Sequence, residues 1–212
     1  MGRLVLWALI GMIGFTGVIG PYLLPHDIFI FLSTLLGGDY VHQGPVLAQL
    51  PVADVGHRVF GILLLIVGML QFDPKLRRTH PRLHRWMGRT FLSMVAVVVA
   101  TALVLGFSVP FSGPTESVFV LTVCVILGWF ASRAWMAVIR RDFAAHREWM
   151  IRTLGLCFFI TVQRLIYMVT IVSTDWPDTE LFILSNWMGV VIVLIAAESW
   201  INVTRSRAIR TG

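Results

Sequence analysis

Two strings in this chain carry side chains that could ligate a metal, hold an anion or move a proton: HRWMGRTF at residues 84–91 and HREWMIRTL at residues 146–154. Each sets His-Arg ahead of Trp-Met-x-Arg-Thr, and a third His-Arg pair, His57-Arg58, opens another apolar run. Imidazole is a metal ligand and a proton carrier near neutral pH. Guanidinium pairs with carboxylate or phosphate. Histidines that project from neighbouring helices of a bundle hold b-type haem in membrane proteins, and a nearby arginine can neutralise a propionate. His84 and His146 have the residue type and depth for such a pair, and Arg85, Arg89, Arg147 and Arg152 could hold the acidic groups of the cofactor. His57 would need another ligand, for which His42 and His26 are the only candidates. The competing reading is that His-Arg at a helix start is an interfacial anchor that binds headgroups.

Zinc or copper is the weaker option. His80 and His84 fall one turn apart if that turn is helical, and His146 could complete a three-histidine site. Pro81 between them, the surrounding arginines and the lack of a carboxylate at ligand spacing argue against it.

The elements that must position these residues are membrane spans. Of 212 residues, 57% are hydrophobic and 13% charged, against about 25% charged in ordinary soluble domains. Apolar runs long enough to cross a bilayer recur along the chain. They predict an all-α polytopic membrane helix bundle with about six spans, at about 4–24, 55–72, 90–109, 118–139, 153–173 and 181–203, and an outer loop at 25–54. The first run is too long for a signal peptide and lacks a small-residue cleavage site. Cys124 and Cys157 sit inside apolar runs, which makes a disulfide framework implausible.

Arginine sets the expected orientation. All 17 basic residues except Arg58 and Arg164 fall at one set of span ends, whereas the opposite loops carry Asp27, Asp39, Asp54, Glu116, Asp175, Asp178 and Glu180 and no Lys or Arg. The positive-inside rule then places both termini in the cytoplasm. The expected location is a cell's inner membrane, crossed several times. The net charge of +6 belongs to topology and anionic lipid, so nucleic acid is not an expected partner.

The duplicated string therefore opens two outward-going helices. Pro81 suits the first turn of one and Asp142 the N-cap of the other, which puts His84 and His146 in matching opening turns. The histidine stands two residues before Trp86 but three before Trp149, so the imidazoles need not face alike.

"GHRVFGILLLIVGMLQF", "RRTHPRLHRWMGRTF", "AAHREWMIRT" and "QRLIY" occur in that order over about residues 56–168. In this the chain resembles the bacterial and fungal integral-membrane family catalogued as domain of unknown function 2306. The resemblance implies a multi-helix membrane domain and brings no reaction with it.

Arg164 is a second anomaly. It falls midway between Arg152 and Asp175, near the bilayer midplane, where an arginine costs about 2.5–3.5 kcal/mol on insertion scales. It must face the bundle, with Glu198 as the expected counter-charge. Such a site suits an anionic or quinone-like ligand, or is a structural ion pair. No nucleophile triad, phosphate loop or cysteine pair stands at a usable spacing. The leading reading is a haem-b redox protein serving a quinone or cytoplasmic donor. The alternatives are a non-catalytic subunit or assembly factor of a larger membrane complex, or a small transporter, against which the lack of broken half-helices argues. Whether the chain is an enzyme stays open.

Overall fold

Prolines and aspartates punctuate the apolar runs and set where the helices start. The computed structural model describes residues 49–211. It contains α1 (Pro51–Gln71), α2 (Pro74–Thr79), α3 (Pro81–Ser108), α4 (Pro114–Ile139), α5 (Phe143–Cys157), α6 (Phe159–Ser173) and α7 (Asp178–Thr211). There is no strand among the described residues. α1, α3 and α4 each open on proline, whose missing N–H is no loss in a first turn. Asp73 caps α2 by accepting from the Lys75 N–H, and Asp142 caps α5 by accepting from the Ala145 N–H, both at 2.9 Å.

Five stretches are long and apolar enough to cross a membrane: Pro51–Gln71, Pro81–Ser108, Pro114–Ile139, Phe143–Ile171 and Asp178–Arg205. They match the second to sixth expected spans. The first span at 4–24 lies outside the described residues, as do His26, His42 and all of the expected outer loop but its end. The end of that loop is already helical, because Pro51 starts α1. The third and fifth spans begin well ahead of Thr90 and Thr153, so both His-Arg pairs lie within helical turns.

α1 and α4 each pack against both α3 and α5. That arrangement sets α3 and α5 across a four-helix group from one another, while α7 packs on α5 and α6. One apolar core joins Leu64, Phe91, Val123, Ala134, Leu154 and Leu156 from these four helices. Gly68 lets α1 close onto it, because a Cβ there would lie 2.6 Å from Leu154 and 2.7 Å from Phe91. Outside, Val125, Ile139, Val191 and Ile195 are exposed. Lipid-facing surface has no need to be buried within the protein.

The fifth span is interrupted, which its sequence does not announce. The Phe158 N–H bonds the Gly155 carbonyl at 3.0 Å, a tightened turn that separates α5 from α6. α7 comes close at the same level: a Cβ on Gly189 would lie 2.9 Å from the Phe159 carbonyl oxygen.

Candidate functional site

α1 ends where α3 and α5 begin, at the arginine-rich end of the bundle. His84 and His146 occupy the same position in their helices. The His84 N–H bonds the carbonyl of the cap residue His80 at 3.0 Å, and the His146 N–H bonds that of Asp142 at 2.9 Å. The unequal spacing to tryptophan thus moves the tryptophans and leaves the histidines in register.

His84 and His146 stand on different helices at the same end of the four-helix group, and His146 lies within electrostatic reach of His84, as Arg77 and Arg85 also do. Their surroundings differ in one respect. The Nδ1 of His146 lies 2.8 Å from the Ala134 carbonyl oxygen. A carbonyl only accepts, so Nδ1 carries the proton and Nε2 keeps its lone pair in the neutral ring. The Nδ1 of His84 is buried and has no hydrogen-bond partner among the described residues.

The arginines divide by what holds them. Arg152 donates to both carboxylate oxygens of Glu198, at 2.5 and 3.0 Å, and lies 3.9 Å from Glu148. Arg147 donates to the Thr204 hydroxyl at 3.2 Å. Arg89 stacks on Trp86 with its guanidinium 5.4 Å from the ring centre. Arg85 is exposed and has no partner among the described residues. Arg85 and Arg77, which flank His84, are therefore the cations best placed for an acidic group beside it.

Much of the duplicated string has a local explanation. Arg152 lies 4.6 Å over Trp149 as Arg89 lies over Trp86. Thr90 donates to the Trp86 carbonyl at 3.1 Å, and Thr153 to the Trp149 carbonyl at 2.8 Å. Trp-Met-x-Arg-Thr therefore builds one unit twice, an arginine stacked on tryptophan and a threonine bonded to that tryptophan's carbonyl. The settings of the two units differ. Trp86 is exposed, whereas Trp149 packs against Phe130 and lies beneath Arg133 as well.

Two expectations are corrected. Arg164 does not pair with Glu198, whose carboxylate is taken by Arg152. Arg164 lies about 18 Å further along the fifth span, at 1.5 Å per residue, with its guanidinium 6.0 Å over the Phe182 ring and Glu116 within its electrostatic reach. His80 and His84 do not share a helical face, because His80 precedes the helix and bonds Thr79 at 2.7 Å. His57 lies apart from both other histidines, in keeping with the expectation that it would need a different ligand. It lies about 21 Å along α1 from Gln71, with Nδ1 3.1 Å from the Thr101 hydroxyl.

Two buried glutamines were not among the expected site residues. Gln163 is fully buried and donates to Ser185 at 3.0 Å. Gln71 is buried at the end of α1, and its Nε2 has no partner among the described residues. The only signal for either is an amide set within an apolar run.

A family of predicted membrane proteins, domain of unknown function 2306, matches residues 55–201. The chain belongs to this family. The matched region reaches each of the five crossing helices among the described residues and covers both copies of the string, and the family's description names a membrane protein and no reaction. No curated protein and no solved structure matches the chain.

Proposed function

We propose that this membrane protein binds b-type haem at the arginine-rich end of its bundle and transfers electrons, and that His84 and His146 would hold the iron. The observation that supports this reading is the matching placement of two histidines in the first turns of α3 and α5 at one end of the bundle, one of them oriented by a backbone carbonyl. A ligating histidine characteristically donates its other ring N–H to such a group, and the Ala134 carbonyl accepts that proton from His146. Two neutral imidazoles are a suitable donor set for haem iron and an incomplete one for zinc. Among the described residues no group of three or more His, Cys, Asp or Glu could hold a metal ion.

Haem supplies one-electron chemistry when bound. The protein's part would be to fix the two histidines at one depth and to answer the acidic groups with Arg85 and Arg77. Arg152, held by Glu198, braces α5 against α7. Quinone is the natural membrane-soluble donor or acceptor for such a centre. The proposed orientation puts the arginine-rich end in the cytoplasm and the chain in an inner membrane.

A reduced-minus-oxidised spectrum of the full chain purified in detergent tests the reading. The expected result is a Soret band that His84→Ala and His146→Ala each abolish and His57→Ala leaves in place. A folded wild-type protein without the band, after expression with ample haem, would overturn it.

A further inference from the structure

We infer that Gln71 is the positioning residue for His84: its side-chain oxygen accepts the Nδ1 proton of His84, as the Ala134 carbonyl accepts that of His146. This rests on the haem reading above and adds a residue to it. α1 ends at Gln71 and runs antiparallel to α3, which brings the amide against the first turns of α3. The contact point is Gly88, where a Cβ would lie 3.5 Å from Gln71 Oε1. Gly88 is four residues on from His84, so the two share a helix face one turn apart. Two nitrogens are buried at this end of the bundle, Gln71 Nε2 and His84 Nδ1, and neither has a partner among the described residues. Buried polar groups are nearly always satisfied in folded proteins.

An amide carries an acceptor and a donor on one rotor. Turned toward His84, Oε1 takes the Nδ1 proton and fixes the ring with Nε2 toward the bundle centre. The amide hydrogens then remain for an acidic or carbonyl oxygen of the bound group. The two histidines are thereby oriented by the same chemistry, His146 by a backbone oxygen and His84 by a side-chain oxygen.

The test is a redox titration of the full chain in detergent, with a thermal melt of the haem-free protein. An acceptor on Nδ1 makes the imidazole more basic and favours ferric iron. Gln71→Leu is expected to weaken haem binding by about 10–100-fold and to raise the midpoint potential. Gln71→Glu is expected to retain haem and to lower the potential. The haem-free Gln71→Leu protein should melt no lower than wild type, because its amide nitrogen has no partner to lose. Potentials that stay put or move the same way in both variants would overturn the role, as would a lowered haem-free melt for Gln71→Leu. A wild-type protein with a Soret band and indifferent Gln71 variants rejects this role alone, and a wild type without the band rejects the haem reading beneath it.

Discussion

Phe91 and Leu154 each stand five residues past the tryptophan of their own copy of the string, and they meet over Gly68 of α1. A Cβ on Gly68 would sit 2.7 Å from the Phe91 ring and 2.6 Å from the Leu154 methyl. Phe91 is fully buried and has little room to yield. Gly68→Ala is therefore expected to destabilise the folded protein by about 1–3 kcal/mol, the usual cost of overpacking. Gly61→Ala, with nothing within 4 Å of the new methyl, should be neutral or mildly stabilising. Denaturant titration in mixed micelles compares the two.

The tryptophans of the two copies should separate in the same assay. Trp149 packs against Phe130 and beneath two arginines, so Trp149→Ala should cost about 3 kcal/mol, the lower end of the range for buried aromatic truncations. Trp86 is 66% exposed, and Trp86→Ala should stay within about 0.5 kcal/mol of wild type. Equal losses would contradict the asymmetry between the two copies.

The same asymmetry shows what was legible in the residues alone. A bilayer demands about 20 apolar residues per crossing, so the five described spans could be read directly. Pro81 and Asp142 could be read as helix starts because each solves a known terminus problem. The interruption at Phe158 could not, since no proline marks it and the close approach of Gly189 comes from a distant part of the chain. Glu198 was assigned to Arg164 across about 10 Å of depth, which passes over the arginine of the fifth span that lies level with it. α7 packs on α5 at that level, and Arg152 is there to meet it. Gln71 stayed hidden because one amide in an apolar run gives no direction.

Charge coupling checks the reassignment of Glu198. A double-mutant cycle on Arg152 and Glu198 should return about 1 kcal/mol, a value restrained by the half-exposed carboxylate. A cycle on Arg164 and Glu198 should return nothing beyond error. Coupling that appeared in the second cycle and vanished from the first would restore the original pairing.

Orientation is open to labelling. Single cysteines placed at Arg78 and Arg140 belong to the arginine-rich end, and those at Ser112 and Trp176 to the opposite end. With Cys124 and Cys157 replaced, impermeant maleimide added to intact cells should modify Ser112→Cys and Trp176→Cys and spare the other two. The reverse pattern would invert the proposed topology and put the His84–His146 site outside.

The turn between α4 and α5 offers a gain in stability. Arg141 has a left-handed backbone with φ of 60°, the only such non-glycine residue among those described. Its N–H bonds the Val138 carbonyl at 3.1 Å, and the next N–H, of Asp142, bonds that of Ala137 at 3.0 Å. This is the glycine-favouring way to end a helix. A side chain in that conformation costs about 1–2 kcal/mol, part of which glycine returns through its greater freedom when unfolded. Arg141→Gly should therefore stabilise the protein by about 0.5–1 kcal/mol. Arg141→Val should destabilise it, because a branched Cβ fits the left-handed region worst. Thermal melts of the two variants should fall on opposite sides of wild type. Equal shifts would mean that loss of the arginine charge, and not the backbone, governs this turn.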